Sequence, residues 1–285
     1  MLRSSSHPPA PEATEGAGSD APPEYDLSYR DEFWASRAYE DMCDRNALRA
    51  LLPGRGRLVD VGAGYGRLAD EYGAFGSVTL VDASTTMTDA ARVRVGADPR
   101  FEVVTAQADR IPLADASVDV IVAVRLLVHI ADPNAVFAEF ARLLRPGGCV
   151  ILEIANRRHA LALIRFLLRR QSWSPFARRP HEYIEAHFAH QPRTVEAQLR
   201  AAGLIPRSRR AVSLFRSGRL KRIISAHDLA MVEAPLQAPL GRFAPSPSLY
   251  IKAIRTGTTT IAAGNGRGPE PNARRTAPAD LDRRG

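Results

Sequence analysis

Cysteine is nearly absent: Cys43 and Cys149 are the only two in 285 residues, far apart and in no metal-ligand spacing. A disulfide framework or a cysteine-based zinc site is not expected, and a reducing cytoplasm is the expected setting. Lysine is almost as scarce, with Lys221 and Lys252 the only two among 39 basic side chains. The net charge of +8 is therefore an arginine charge. An arginine bias spread through the composition is a weak footprint for nucleic acid, which is not expected as a partner. No apolar run approaches the roughly 20 residues that cross a bilayer, and the opening stretch MLRSSSHPPAPEATEGAGSDAPPE has no apolar core of an export signal. The expectation is a chain neither exported by a standard signal nor membrane-spanning. No internal repeat is visible.

What is present is ordinary for one soluble α/β domain: 45% hydrophobic and 25% charged residues. Residues 1–23 and 257–285 are rich in Pro, Ala, Gly, Ser and Arg and read as disordered tails, leaving 24–256 as the folded unit. Within it, residues 157–222 carry 16 Lys or Arg against three acids, Glu182, Glu185 and Glu196, so basicity belongs to the C-terminal half.

Short β-branched runs alternate with helical patterns, which argues a parallel sheet covered by helices on both faces. Strands are expected near 57–61, 77–81, 101–105, 118–124, 149–155, 207–215 and 248–255. Helices are expected near 28–53, 65–74, 86–94, 133–144 and 194–203. The first strand breaks into Gly62, Gly64 and Gly66, whose freedom to take positive φ lets backbone approach a ligand. A helix following this loop would add a positive dipole end. In the dinucleotide fingerprint the third glycine would fall at Arg67, so the spacing disfavours a nicotinamide enzyme. Asp60, two residues before the first glycine, would hinder a pyrophosphate but suits an ammonium. The loop fits an amino-acid zwitterion.

The pattern D-x-G-x-G-x-G with an acid, Asp82, closing the next strand resembles the class I S-adenosylmethionine (SAM)-dependent methyltransferases. That resemblance implies a Rossmann-like, doubly wound, seven-stranded and mostly parallel sheet with helical insertions forming a lid, and SAM as cofactor. It implies that Asp60, Gly62, Ala63, Gly64 and Gly66 surround the methionine end, and that Asp82 with Ala83 grips the ribose. The adenine would lie on Gln107, Ala108 and Asp109; either Gln107 or Asp109 could accept from its amino group, and both stay open. Asp119, opening the fourth strand, matches an acid that is structural in the family. Arg125, Leu126 and Leu127 fall near the cofactor, and His129, expected to open a helix, is the general-base candidate, because an imidazole pKa near 6.5 suits proton removal at neutral pH. The Pro146-Gly147-Gly148 turn is architectural, and Asn156 faces the substrate side. No metal is expected.

The acceptor is expected to be small and partly apolar, methylated on O, N or C. An RNA or protein methyltransferase and a non-catalytic SAM-binding protein are the alternatives. Insertions at about 157–192 and 217–247 would form the lid. The stretch RRHALALIRFLLRRQSW has three readings: a lid helix on a lipophilic substrate, a helix buried against the domain, and, as the lesser one, a helix resting on anionic lipid. HEYIEAHFAHQP, with His181, Tyr183, Glu185, His187 and His190, reads most simply as solvated helix, and 219–239 as helical.

Overall fold

Seven strands form one sheet in the order β3-β2-β1-β4-β5-β9-β8. The computed structural model describes Trp34 and residues 36–257, so the two expected tails lie outside the described residues except for Gly257. The strands are β1 (Arg57–Val61), β2 (Ser77–Asp82), β3 (Phe101–Thr105), β4 (Val118–Ala123), β5 (Leu144–Ala155), β8 (Leu204–Val212) and β9 (Ser248–Arg255). All run parallel except β9, which pairs antiparallel with both β5 and β8. This is the expected Rossmann-like α/β arrangement. β1, β2 and β4 are buried on both faces, which is why they read as continuous apolar runs rather than alternating ones.

The period of two divides each strand between two cores. Val59, Val61, Val81 and Ile121 pack with Phe137, Phe140, Val195 and Leu199, from α3 (Asn134–Leu143) and α5 (Pro192–Ala201). Leu58, Leu80, Val120 and Val122 pack on the other face with Tyr39, Ala47 and Leu48 from α1 (Ala38–Leu51). Asp60 shares parity with Leu58, so it enters the α1 side.

α1 is fastened at both ends of the site. Arg67, just past the glycine loop, pairs with Asp41 and Asp44, and Arg45 and Arg49 reach Glu71. On the other flank, the Tyr39 hydroxyl donates to Glu233 of α7 (Ala226–Glu233) and accepts from the Phe215 N–H. Glu233, fully buried, also takes the Ser213 and Leu214 N–H groups. Of the expected 28–53 helix, Ala38–Leu51 forms one helix, and Trp34 is also helical among the described residues.

Two expectations need correction, and a third, the helical 219–239, holds in several short pieces. No α-helix follows the glycine loop: successive three-residue turns lead to a 3-10 turn at Ala69–Tyr72, and Gly73 ends it. The loop therefore lacks the helix dipole that its spacing suggested. HEYIEAHFAHQP is not a helix but a hairpin of β6 (His181–Ile184) and β7 (His187–Ala189), turned at Ala186 (φ 54°). Its Tyr, Ile and Phe are strand-formers, and Glu182 caps the turn by accepting the Ala186 N–H. The 219–239 stretch breaks into α6 (Leu220–Ile223), α7, a 3-10 turn and α8 (Gln237–Gly241), with Ser225 capping α7 and Pro235 in the 3-10 turn.

Candidate active site

The sheet order reverses beside β1, between β2 and β4, and the loops leaving those strands meet there, where open α/β sheets take their ligands. The Gly62 and Ala63 N–H groups both donate to the Val81 carbonyl, tying the loop to β2. Gly62 has φ +74°, and a Cβ there would lie 3.0 Å from Leu126 Cδ1, so the glycine lets the β1 and β4 loops touch. Gly64 has φ +55° and nothing within 4 Å of where its Cβ would be. Its open side faces space a ligand can fill, and its N–H donates to Asp82 Oδ2 at 2.8 Å. Asp82 also accepts from the Ser84 N–H at 3.0 Å, and the Ser84 side chain caps α2 (Thr85–Val95) through the Met87 N–H. Burial raises the Asp82 pKa, while the N–H groups of Ser84, Gly64 and Ala83 oppose that rise.

Asp60 is 2% exposed and accepts the Tyr72 hydroxyl at 2.7 Å. Burial pushes its pKa up to about 7; Tyr72 and Arg67 work against this, and Asp82 adds to it. Arg67 is occupied by Asp41 and Asp44, so among the described residues Asp60 is a buried carboxyl with no ion-paired cation of its own. A cation arriving beside it would restore the ionised form. Tyr72, the partner that orients Asp60, carries no motif signal in the sequence beyond its place on the short turn.

After β3 the chain turns through Gln107–Arg110, with Ala108 packed on the core. Gln107 and Asp109 are both exposed, and no described residue bonds to either side chain. Arg125 sits at the end of β4 in a left-handed conformation, φ 60°, with its N–H on Glu153. Its guanidinium pairs with Asp44 at 3.2 Å and lies over the Trp34 ring, so that side chain braces α1. Glu153 is 4% exposed and accepts the Ser248 hydroxyl at 2.6 Å. It is a buried acid at the mouth that strand patterning hides among apolar neighbours.

His129 lies in a 3-10 turn, Leu127–His129, and not at a helix start. The His187 ring of the hairpin stands edge-on to it at 4.8 Å. Burial, and then His187, lower the His129 pKa to about 4, well under the value its type suggests. The ring is thus neutral at pH 7 but a weaker base than an ordinary imidazole, and it hydrogen-bonds the Ala186 backbone. His190 anchors the same turn through Nε2 and the Leu127 carbonyl, and its backbone bridges Asn156. Asn156 is itself structural: its Nδ2 donates to the Ala244 and Ser246 carbonyls and its Oδ1 accepts the Arg158 N–H. Tyr183, on the hairpin, has its hydroxyl in the field of Glu153, Arg125, Arg216 and Arg37. Asp119 stays at the opposite end of the sheet, accepting the Arg57 N–H and pairing with Arg145, as a structural acid should. Among the described residues no group of three or more His, Cys, Asp or Glu is placed to hold a metal ion.

Residues 59–152 match the family model described as a methyltransferase domain. The ubiquinone biosynthesis O-methyltransferase of Thiobacillus denitrificans is 31% identical over 160 residues, 55% of this chain and 67% of that protein. The dimethylglycine N-methyltransferase of Parasynechococcus marenigrum is 34% identical over 105 residues, 35% of this chain and 38% of that protein. Against three curated relatives the chain spans only part of their length, 38% of two and 65% of the third. Of solved structures, a SAM-dependent methyltransferase from Thermotoga maritima superposes with a TM-score of 0.59 at 19% identity, over 81% of this chain and 96% of that one, a likeness of fold.

Proposed function

Because this chain belongs to the class I SAM-dependent methyltransferases, we propose that it binds SAM in the crevice beyond β1, β2 and β4 and methylates a small, partly apolar acceptor on O, N or C. The observation that carries the reading is the pairing of a buried Asp60 with the open, left-handed Gly64. A carboxyl whose pKa is held near 7, with no ion-paired cation among the described residues, fits the methionyl ammonium, and the bare face of Gly64 fits the close approach of a ligand. Gly62, Ala63 and Gly66 complete the loop, and Asp82 with Ala83 would take the ribose hydroxyls. Gln107, Ala108 and Asp109 would border the adenine. Arg125 serves this site by bracing α1 through Asp44.

When bound, SAM supplies a methyl on a cationic sulfur that is already activated for in-line displacement. The protein's work is then alignment and exclusion of water, worth up to about 7–11 kcal/mol. His129, neutral at pH 7, would remove the acceptor's proton, a contribution of about 10²–10⁴-fold where the nucleophile carries one. The β6–β7 hairpin closes over it through His187 and Tyr183. The relatives are named for ubiquinone biosynthesis and for dimethylglycine; both an O and an N acceptor are consistent with a neutral imidazole at the site.

The test is calorimetric titration of SAM into the wild type and Gly64→Val, followed by SAM-dependent turnover of a metabolite extract read by product mass. Tight binding in the first and none in the second is expected. Equal binding by both would remove the loop from the site.

A further inference from the structure

The face that α4 (Ala160–Leu167) turns to solvent is apolar. Leu161, Ile164, Leu167 and the following Leu168 are 49%, 51%, 77% and 58% exposed, while Ala162 is the helix's one buried residue. At about 100° per residue, Leu161, Ile164 and Leu168 fall on one stripe, with Leu167 on its flank. A helix on the surface of a water-soluble domain normally turns such a stripe inward, so the reading of α4 as a helix buried against the domain fails. Phe176, 53% exposed, extends the patch, its ring 6.0 Å from that of Phe166.

The rim of this patch is positive. Arg165, Arg169, Arg170, Arg178 and Arg179 are exposed, and the Arg158 guanidinium lies over the Phe176 ring. Residues 157–180 contain seven arginines and no acid. A second copy docking through the same face would set these arginines against themselves. A nucleic-acid backbone would neutralise them but leave the leucines, Ile164 and Phe176 in water. One surface takes both features, a bilayer whose headgroups are anionic and whose acyl boundary accepts the apolar stripe.

We infer that α4 and the segment through Arg179 are a docking surface for an anionic lipid bilayer. The helix is far too short to cross one, and among the described residues no helix is long and apolar enough to do so; it lies in the interface. This inference stands on the exposure and charge of α4 and does not depend on the methyl-transfer reading.

The experiment is co-sedimentation of the full chain with vesicles of phosphatidylcholine alone and of phosphatidylcholine with about one third phosphatidylglycerol. Binding to the anionic vesicles is expected to exceed binding to the neutral ones by at least about tenfold. Ile164→Asp with Leu168→Asp should lower it by about tenfold or more, and Arg169→Gln with Arg170→Gln should lower it and flatten its salt dependence. All four positions are exposed, and thermal melts of the variants check that folding is kept. No binding, or equal binding to both vesicle types, overturns the proposal. So does an aspartate variant that binds like the wild type while the protein retains RNA on purification, which would mark a phosphate footprint. A wild-type dimer that the aspartate variant dissolves would mark a self-contact and overturn it equally.

Discussion

Replacing Asp60 by asparagine removes one charge from a buried position while keeping an acceptor oxygen for the Tyr72 hydroxyl. Burial holds the Asp60 carboxyl at about 7 against 3.8 in the open chain, so ionising it in the fold costs roughly 4 kcal/mol. The sign follows from which state holds the proton. Between those two values the unfolded chain has lost its proton and the folded one has kept it. Stability is therefore lost as pH rises from about 4 to about 7. Asp60→Asn escapes that loss, so its advantage in unfolding free energy should be absent near pH 4 and reach a few kcal/mol above about pH 7, with a matching rise in melting temperature. SAM binding should move the other way. An asparagine offers the methionyl ammonium no charge, which weakens binding by about 1.5–3 kcal/mol, or about 10- to 150-fold in Kd. In the wild type, affinity should fall up to about tenfold per pH unit below 7, because the ammonium needs the ionised carboxylate. Calorimetric titration and thermal melts at several pH values, on both proteins, read all of this. A wild-type affinity flat between about pH 5.5 and 7, or an asparagine variant that binds SAM as tightly at about pH 8, would refute the assignment of Asp60 to the ammonium.

Gly64→Ala should cost about 1–2 kcal/mol in thermal unfolding, because its φ of +55° is left-handed, with no clash to add since nothing lies within 4 Å; the larger Gly64→Val should in addition abolish SAM binding. His129→Ala should leave SAM binding intact and lower kcat by about 10²-fold or more. At saturating SAM the wild-type kcat should show no limb near 6.5, since this imidazole titrates at about 4; unchanged turnover in the alanine variant from pH 6 to 9 would remove His129 as base. Tyr39→Phe strips the hydroxyl that serves Glu233 and the Phe215 N–H, and should destabilise the fold by about 1–3 kcal/mol by chemical denaturation, with SAM affinity little changed.

The sheet was legible because its central strands are short apolar β-branched runs cut by glycine, and residues 57–61 and 101–105 coincide with β1 and β3. The loop and Asp82 were legible because positive φ and close approach demand glycine at fixed spacing. The helix after the loop was not, since periodicity at 65–74 cannot reveal that backbone turns close three residues apart. The hairpin was hidden by its own composition: a segment dense in His and Glu resembles solvated helix until Trp173 stacks on His181 and Ala186 turns the chain. Tyr72, Glu153 and the partnership of His129 with His187 depend on contacts between distant segments, which spacing does not encode. The outward apolar face of α4 was likewise one of several readings until burial decided it.

α1 touches the glycine loop through Arg67 and the 213–237 region through Tyr39, Gln237 and Glu233. The helix is thus shared between the glycine-loop side of the domain and the 213–247 segment, which also joins the sheet through Asn156 and the Ala244 and Ser246 carbonyls. Exchanging residues 213–247 with those of a relative, while leaving α1 behind, would part Tyr39 from Glu233 and Gln237 from the Cys43 carbonyl, while Asp44 keeps Arg67 and Arg125. A chimaera that carries residues 38–51 together with 213–247 keeps the Tyr39–Glu233 side intact, and the pairs of Asp41 and Asp44 with Arg67, of Asp44 with Arg125 and of Arg45 and Arg49 with Glu71 are then the ones to be matched. Either crossover cuts contacts of α1, so the helix and the segments on both of its flanks have to be exchanged together.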